Sequence, residues 1–219
     1  LHPRVRRQRQ MCIRDSNNGD DRRKAHDIFP SISVPNLFME RLIKRENFTL
    51  FDPHEVNTVM GFALEDFYDT AENKAFTEHY LACEKEPRLH GISVPALEMM
   101  KKIMKSAVET GTPFIFFRDT VNEANPNKHA GMIYASNLCH EIAQNVGFTN
   151  LKEEILQADG TITTVTAPGD MVTCNLNSIN LGRMDEDFLE EQIALQVRML
   201  DNVITINQTP VPESRLTCD

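Results

Sequence analysis

The chain has no Cys-x-x-Cys pair, no Gly-x-Gly-x-x-Gly or Gly-x-x-x-x-Gly-Lys-Ser/Thr loop, no internal repeat and no low-complexity linker. Nor does it hold an apolar run near the roughly 18 residues that a membrane-spanning helix needs. Each absence excludes something. Five widely spaced cysteines (Cys12, Cys83, Cys139, Cys174, Cys218), an odd number, argue against a secreted disulfide framework and against a zinc ribbon. Without glycine-rich loops the chain lacks the common cradles for nucleotide phosphates. With no charged n-region, apolar h-region and cleavage site at its start, the default location is the cytoplasm, with no membrane partner.

What is present is ordinary for a globular domain: 219 residues, 41% hydrophobic and 25% charged, enough for one or two cores. The net charge of −9 is unevenly spread. Residues 1–24 hold seven Arg and one Lys against three Asp, a local +5. That start has neither interleaved aromatics nor an amphipathic period, so it reads as adapter-derived or inert tail rather than a nucleic-acid arm or transit peptide. Residues 1–26 are therefore set apart, Cys12 with them, and 27–219 are expected to form the folded body, one domain.

Beyond the tail, Ile32–Ile43 predicts a helix begun by Ser33 with Pro35 in its first turn. Phe48–Phe51 predicts a strand, 53–58 a second helix, and 62–84 carries Leu64, Phe67, Tyr68, Ala71 and Ala75 at helical spacing. Ser93 as cap, Pro95 in the first turn, the stripe Leu97, Met100, Met104, Ala107 and Val108, and Gly111 before Pro113 outline the clearest helix. Its methionines read as core filler. Phe114–Phe117 reads as a strand buried on both faces, 118–131 as a polar loop, and Met132–Ala135 as extended chain. Two β-type runs, 160–165 and 171–181, precede a last helix with Leu189, Ile193, Val197, Leu200 and Ile204 on one side. Long helices alternating with buried strands predict an α/β fold.

The stretch Asn137-Leu138-Cys139-His140-Glu141 holds the candidate chemistry. In an extended loop alternate residues face one way, which would set an amide, a thiol and a carboxylate (Asn137, Cys139, Glu141) on one surface. Taken singly, Cys139 is a small buried hydrophobe, Glu141 a solvated acid and Asn137 a turn former. Those readings leave the joint arrangement unexplained. His129, Cys139, His140 and Glu141 are also metal-ligand types, although adjacent Cys139 and His140 would diverge on an extended backbone. Cys174 is either a strand core residue or a redox thiol, and the second role needs a partner sulfur nearby.

Val34–Arg41, Phe48–Val56, Thr110–Ile115, Asp119–Pro126, Met132–Ile142 and Cys174–Gly182, in this order, closely resemble the catalytic large subunit of class I ribonucleoside-diphosphate reductases. The resemblance runs from about Asp27 to the C-terminus and implies an internal fragment of a longer subunit. It implies part of an α/β barrel of ten strands, with Ser136–Glu141 as the finger loop threaded into it. Cys139 would become the transient thiyl radical that takes the ribose 3′ hydrogen. Glu141 would be the general base for the 3′-hydroxyl, and Asn137 would orient the ribose hydroxyls; Asn137, Leu138, Cys139, His140 and Glu141 would together contact substrate. Cys174 would be half of the dithiol oxidised in the reaction.

The same resemblance implies no metal or cofactor bound by this segment. It further implies a radical supplied by a metal-containing small subunit, ATP and deoxynucleotide effectors, a thioredoxin- or glutaredoxin-type reductant, and a homodimeric parent. The fragment alone is expected to be inactive. Two other readings stay open: a non-catalytic nucleotide-binding or regulatory protein on the same fold, and a metal-dependent hydrolase using His129, His140 and Glu141.

Overall fold

A computed structural model describes residues 29–171, 173–184, 186–209 and 211–218. The expected basic tail, with Cys12, lies outside them. The chain divides into two compact units that part between Asn145 and Val146.

In the first unit, β1 (Ser31–Val34) leads into α1 (Asn36–Lys44), and β2 (Asn47–Leu50) into α2 (Pro53–Met60). A 3-10 turn (Leu64–Asp66) and irregular chain precede α3 (Ala75–Lys85), followed by β3 (Ile92–Pro95), α4 (Ala96–Thr110), β4 (Phe114–Phe117) and α5 (Arg118–Ala124). β1 and β4 pair in parallel, Ser31 opposite Phe114 and Val34 opposite Phe117, and β2 pairs antiparallel with β3. Parallel neighbours need a long crossover, and here everything from α1 to α4 supplies it.

Two helix starts are corrected. Ser33 and Ser93 cap nothing: each sits in a strand, and the helices begin after Pro35 and Pro95, which hold extended backbone. Both sites read Ser-Val-Pro. The residue before a proline is pushed out of the helical region, so Val34 and Val94 lie in strands instead of opening helices. The expected stop at Gly111 is seen directly, at φ 77° in the left-handed conformation, and the Asp52 carboxylate caps α2 by accepting N–H bonds from His54 and Glu55 at 2.9 and 3.3 Å.

The core gathers Val34, Leu37, Phe38, Phe48, Phe76, Tyr80 and Ala96, with Met99, Met100 and Ile115 against it. Phe48 stacks on Tyr80 at 4.7 Å and meets Phe38 edge-on at 5.3 Å. Tyr80 Oη accepts from Thr49 N–H at 2.6 Å and donates to Thr49 C=O at 2.9 Å, so a side chain of α3 satisfies the backbone of β2. The buried face of α4 is Ala96, Ile103 and Ser106, rotated from the expected stripe, and Met104 and Val108 face solvent. Met99 and Met100 do fill core space. β4 is covered unevenly, Phe116 buried and Phe117 exposed, so the expected burial on both faces is corrected: the two residues point to opposite faces of the strand and only one is covered.

Residues 118–131, expected as loop, contain α5 and a further 3-10 turn at Lys128–Ala130. The polar residues that disguised this helix are its buried contacts: Asp119, Asn122 and Asn125 are all buried. Residues 62–74 are helical only in the 3-10 turn, and Met132–Ala135 is not paired as a strand.

In the second unit, β5 (Asn150–Leu156), which sequence reading did not foresee, pairs antiparallel with β6 (Ile162–Ala167), with a bulge between Leu151 and Glu153. Then come α6 (Leu189–Ile206) and α7 (Pro212–Cys218). The β-type run expected over 171–181 has no strand among its described residues, which find no ladder partner there. Every buried apolar side chain among the described residues lies between Val34 and Ile133. The fold is α/β with three separate two-stranded sheets and no closed barrel among the described residues.

Candidate active site

The site is built on the ends of two parallel strands. β1 ends at Val34 and β4 at Phe117, and just past them the Asp119 carboxylate accepts N–H bonds from Asn36 at 2.6 Å and from Asp69 at 3.0 Å. Asp119 has no exposure. Burial pushes its carboxyl up, against the two N–H donors and Arg118, which favour the charged form. The Arg118 guanidinium, itself pulled down by burial, lies 4.5 Å over the Phe76 ring and donates to the carbonyls of Leu64 and Phe67. Asp69 in turn accepts from Thr77 N–H in the first turn of α3 at 3.1 Å. A polar framework thus joins α1, α3 and α5 beneath the strand ends.

From this framework the chain runs through Ile133 to the Asn137–Glu141 stretch. The backbone there is not extended. Leu138 and Cys139 form a turn closed by His140 N–H on Asn137 C=O at 3.3 Å, and His140 has φ 68°, a left-handed conformation uncommon outside glycine. The alternation expected to align Asn137, Cys139 and Glu141 is therefore corrected: a tight turn replaces it. A second closure lies outside the first, where Asn137 Oδ1 accepts from Ile142 N–H at 3.1 Å and Ser136 Oγ donates to Ile142 C=O at 2.5 Å. The turn is held by its own polar residues.

Cys139 and Glu141 are exposed on this turn. A cavity of about 250 Å³ adjoins it, walled by Ser31 and Ser33 of β1, Phe116 of β4, and Tyr134, Asn137, Leu138 and His140. The His140 ring lies 5.3 Å from Phe114 and 5.8 Å from Phe116, pinning the turn against β4. Three of the five predicted contact residues thus line one concavity. Cys139 and Glu141 sit on the same turn outside its lining. Sequence reading missed Ser31, Ser33 and Tyr134; only the parallel pairing of β1 with β4 brings the serines here.

Cys174 is an exposed thiol of the second unit, on irregular chain before a 3-10 turn (Leu181–Arg183) capped by Asn180. Its expected strand setting is thus corrected. Cys83 is buried in α3, and burial pushes its thiol up. Among the described residues no group of three or more His, Cys, Asp or Glu side chains is placed to hold a metal ion, so the hydrolase reading gains no support. No helix of the described residues is long and apolar enough to cross a membrane.

An exposed thiol on a hydrogen-bonded turn, beside a cavity of mixed polar and apolar lining along β1 and β4, makes this turn the candidate site of the first unit. A family model described as "Ribonucleotide reductase, barrel domain" matches residues 8–218, starting ahead of Asp27. The chain belongs to the ribonucleotide reductase barrel-domain family.

Among curated relatives, the ribonucleoside-diphosphate reductase subunit alpha of Treponema pallidum is 46% identical over 92% of this chain and 24% of that protein. The protein of the same name from Synechocystis is 37% identical over 91% of this chain and 24% of its own length. The ribonucleoside-diphosphate reductase large chain of Schizosaccharomyces pombe is 29% identical over 90% of this chain and 22% of that protein. The chain spans about a quarter of the curated relatives it matches.

Proposed function

We propose that this chain is the substrate-reducing segment of a ribonucleoside-diphosphate reductase catalytic subunit, and that Ser136–Glu141 is its finger loop within a ten-stranded barrel completed by the rest of that subunit. The observation that carries this reading is Cys139, a solvent-open thiol on a turn locked by Asn137 beside a cavity.

The overall change converts a ribonucleoside diphosphate and two thiols into a deoxyribonucleoside diphosphate, a disulfide and water. Cys139, as a thiyl radical, takes the 3′ hydrogen atom and later returns one. Glu141 accepts the 3′-hydroxyl proton, the 2′-hydroxyl leaves as water, and Cys174 supplies one of the two thiols whose electrons reduce the sugar. Asn137 Oδ1 is committed to the Ile142 N–H, so the Nδ2 amide is the group left to donate to a ribose hydroxyl. Leu138 and His140 complete the substrate contact.

No metal or cofactor is assigned to this segment. A metal-containing small subunit supplies the radical, a thioredoxin- or glutaredoxin-type protein restores the dithiol, ATP and deoxynucleotides act as effectors elsewhere on the subunit, and the working form is a cytoplasmic homodimer of that subunit. The chain by itself is inactive.

The test is Cys139→Ser in a full-length subunit carrying this segment, assayed with its small subunit. Product formation is expected to vanish while nucleotide binding stays within about threefold; retained turnover refutes the assignment.

A further inference from the structure

Ile133 is almost fully buried, so its backbone N–H and C=O have no access to water and need partners. Both partners come from one side chain. Asn122 Oδ1 accepts from Ile133 N–H at 2.7 Å, and Asn122 Nδ2 donates to Ile133 C=O at 3.0 Å, the two-point exchange a neighbouring β-strand would otherwise provide. The second Nδ2 proton goes to Arg118 C=O at 2.9 Å, so both donors of the amide are used. Asn122 is itself 1% exposed and lies one helical turn beyond Asp119, the residue that ties down α1.

Lower in the loop, Asn125 Nδ2 donates to Asn145 Oδ1 at 3.2 Å and Asn145 Nδ2 to Gly131 C=O at 2.6 Å, joining the ingoing and outgoing limbs at their base. Cys139 therefore rides on a loop that is closed at its base, locked at its turn by Asn137, and registered against α5 by Asn122.

We propose that Asn122 is a positioning residue: its paired hydrogen bonds to Ile133 fix the limb that presents Cys139, and so set where the thiol sits relative to the cavity. The consequence for catalysis rests on the reading of Cys139 as the hydrogen-abstracting group; the consequence for the loop does not. Asn122→Asp is nearly isosteric. It keeps an acceptor for Ile133 N–H but loses both donors and sets a carboxylate against two carbonyls.

The first measurement is residue-resolved amide exchange on the 219-residue chain. In Asn122→Asp, the Ile133, His140 and Ile142 amides are expected to exchange about tenfold faster, while Ile103 in α4 stays within about twofold. If those three amides are unchanged, or if Ile103 accelerates equally, Asn122 is not a specific positioner and the proposal fails. Asn122→Ser serves the same comparison should the aspartate not fold.

The second measurement is turnover by a full-length subunit carrying the segment. Asn122→Asp is expected to lower kcat about 100-fold with KM within about threefold, because misplacing a reacting atom costs rate more than binding. Full kcat in the variant overturns the catalytic role while the unaltered enzyme still supports the reductase reading. If instead Cys139→Ser keeps turning over, the reductase reading and the catalytic role of Asn122 fall together, and the exchange experiment alone decides the loop claim.

Discussion

Replacing Asp119 by Asn alters a single functional group at a position with no exposure, and the structure specifies the cost. Two backbone N–H groups, from Asn36 and Asp69, point at the two carboxylate oxygens at 2.6 and 3.0 Å. An amide has one oxygen, so one of these donors must face an NH₂ group. A hydrogen bond to a charged acceptor contributes about 1.5–3 kcal/mol, and a buried N–H left unmade costs about 1–3 kcal/mol. The Arg118 Nε, 3.8 Å from Asp119 Oδ1, also loses its neighbouring charge. Set against these losses is relief from burying a charge, the same burial that pushes the Asp119 carboxyl up, so the net is about 3 kcal/mol, a large share of the roughly 5–15 kcal/mol that holds a domain of this kind together.

In thermal unfolding followed by circular dichroism, Asp119→Asn should lower Tm by roughly 10–20 °C. Glu123→Gln is the control on the same helix: its carboxylate accepts from Ala71 N–H at an exposed site, so its effect should stay near 0.5 kcal/mol or about 2 °C. An Asp119→Asn variant that melts within about 3 °C of the unaltered chain would show that the framework under the strand ends is not what holds them.

Acid stability should track Glu84. Its carboxylate receives Arg41 Nη1 and Nη2 at 2.7 and 2.6 Å, and these bonds, with that from Thr49 Oγ1, hold it below the ordinary glutamate range. A lowered carboxylate confers stability that is complete above its unfolded value and is lost as pH falls through its folded value. Urea midpoints should therefore drop below about pH 4.3, with Glu84→Gln less stable at neutral pH and flatter in acid; an unchanged acid limb in that variant counts against the pair. Asp119, raised by burial, acts in the opposite sense, its contribution fading as pH rises through its folded value. The second unit should behave unlike the first. With Leu151, Leu156, Ile162, Val197 and Ile206 all exposed, the isolated chain should bind ANS, and amides of α6 should exchange far faster than those of α4. Equal protection in the two helices would contradict that expectation.

Local punctuation was legible in the chain. Gly111 after α4, the apolar run of β4 and the period of α6 all describe short-range chemistry, and the same elements stand in the structure. Ser-Val-Pro holds two conflicting signals, a serine that could cap a helix and a proline that bars the residue before it from helical backbone. Its strand partners lie far along the chain, and only pairing chooses between a capped helix and a strand end. The polar run holding α5 was misread for a related reason. Asp119, Asn122 and Asn125 look like loop residues until Asn36, Asp69, Ile133 and Asn145 are there to receive them.

The order of residues around Cys139 pointed to the family and singled out a thiol, an amide and an acid as candidates, because side-chain chemistry is written directly in the sequence. Tertiary structure alone decided that the 137–141 backbone is a turn with His140 in the left-handed region, that Ser31 and Ser33 face it across a cavity, and that Asn122 registers its limb. The serines reach the turn only once the crossover between β1 and β4 has closed, and the Asn122 bonds join a helix to a limb 11 residues further on, so neither is written in a local pattern. The turn itself is closed by short-range hydrogen bonds, which the alternation of an extended chain does not foretell.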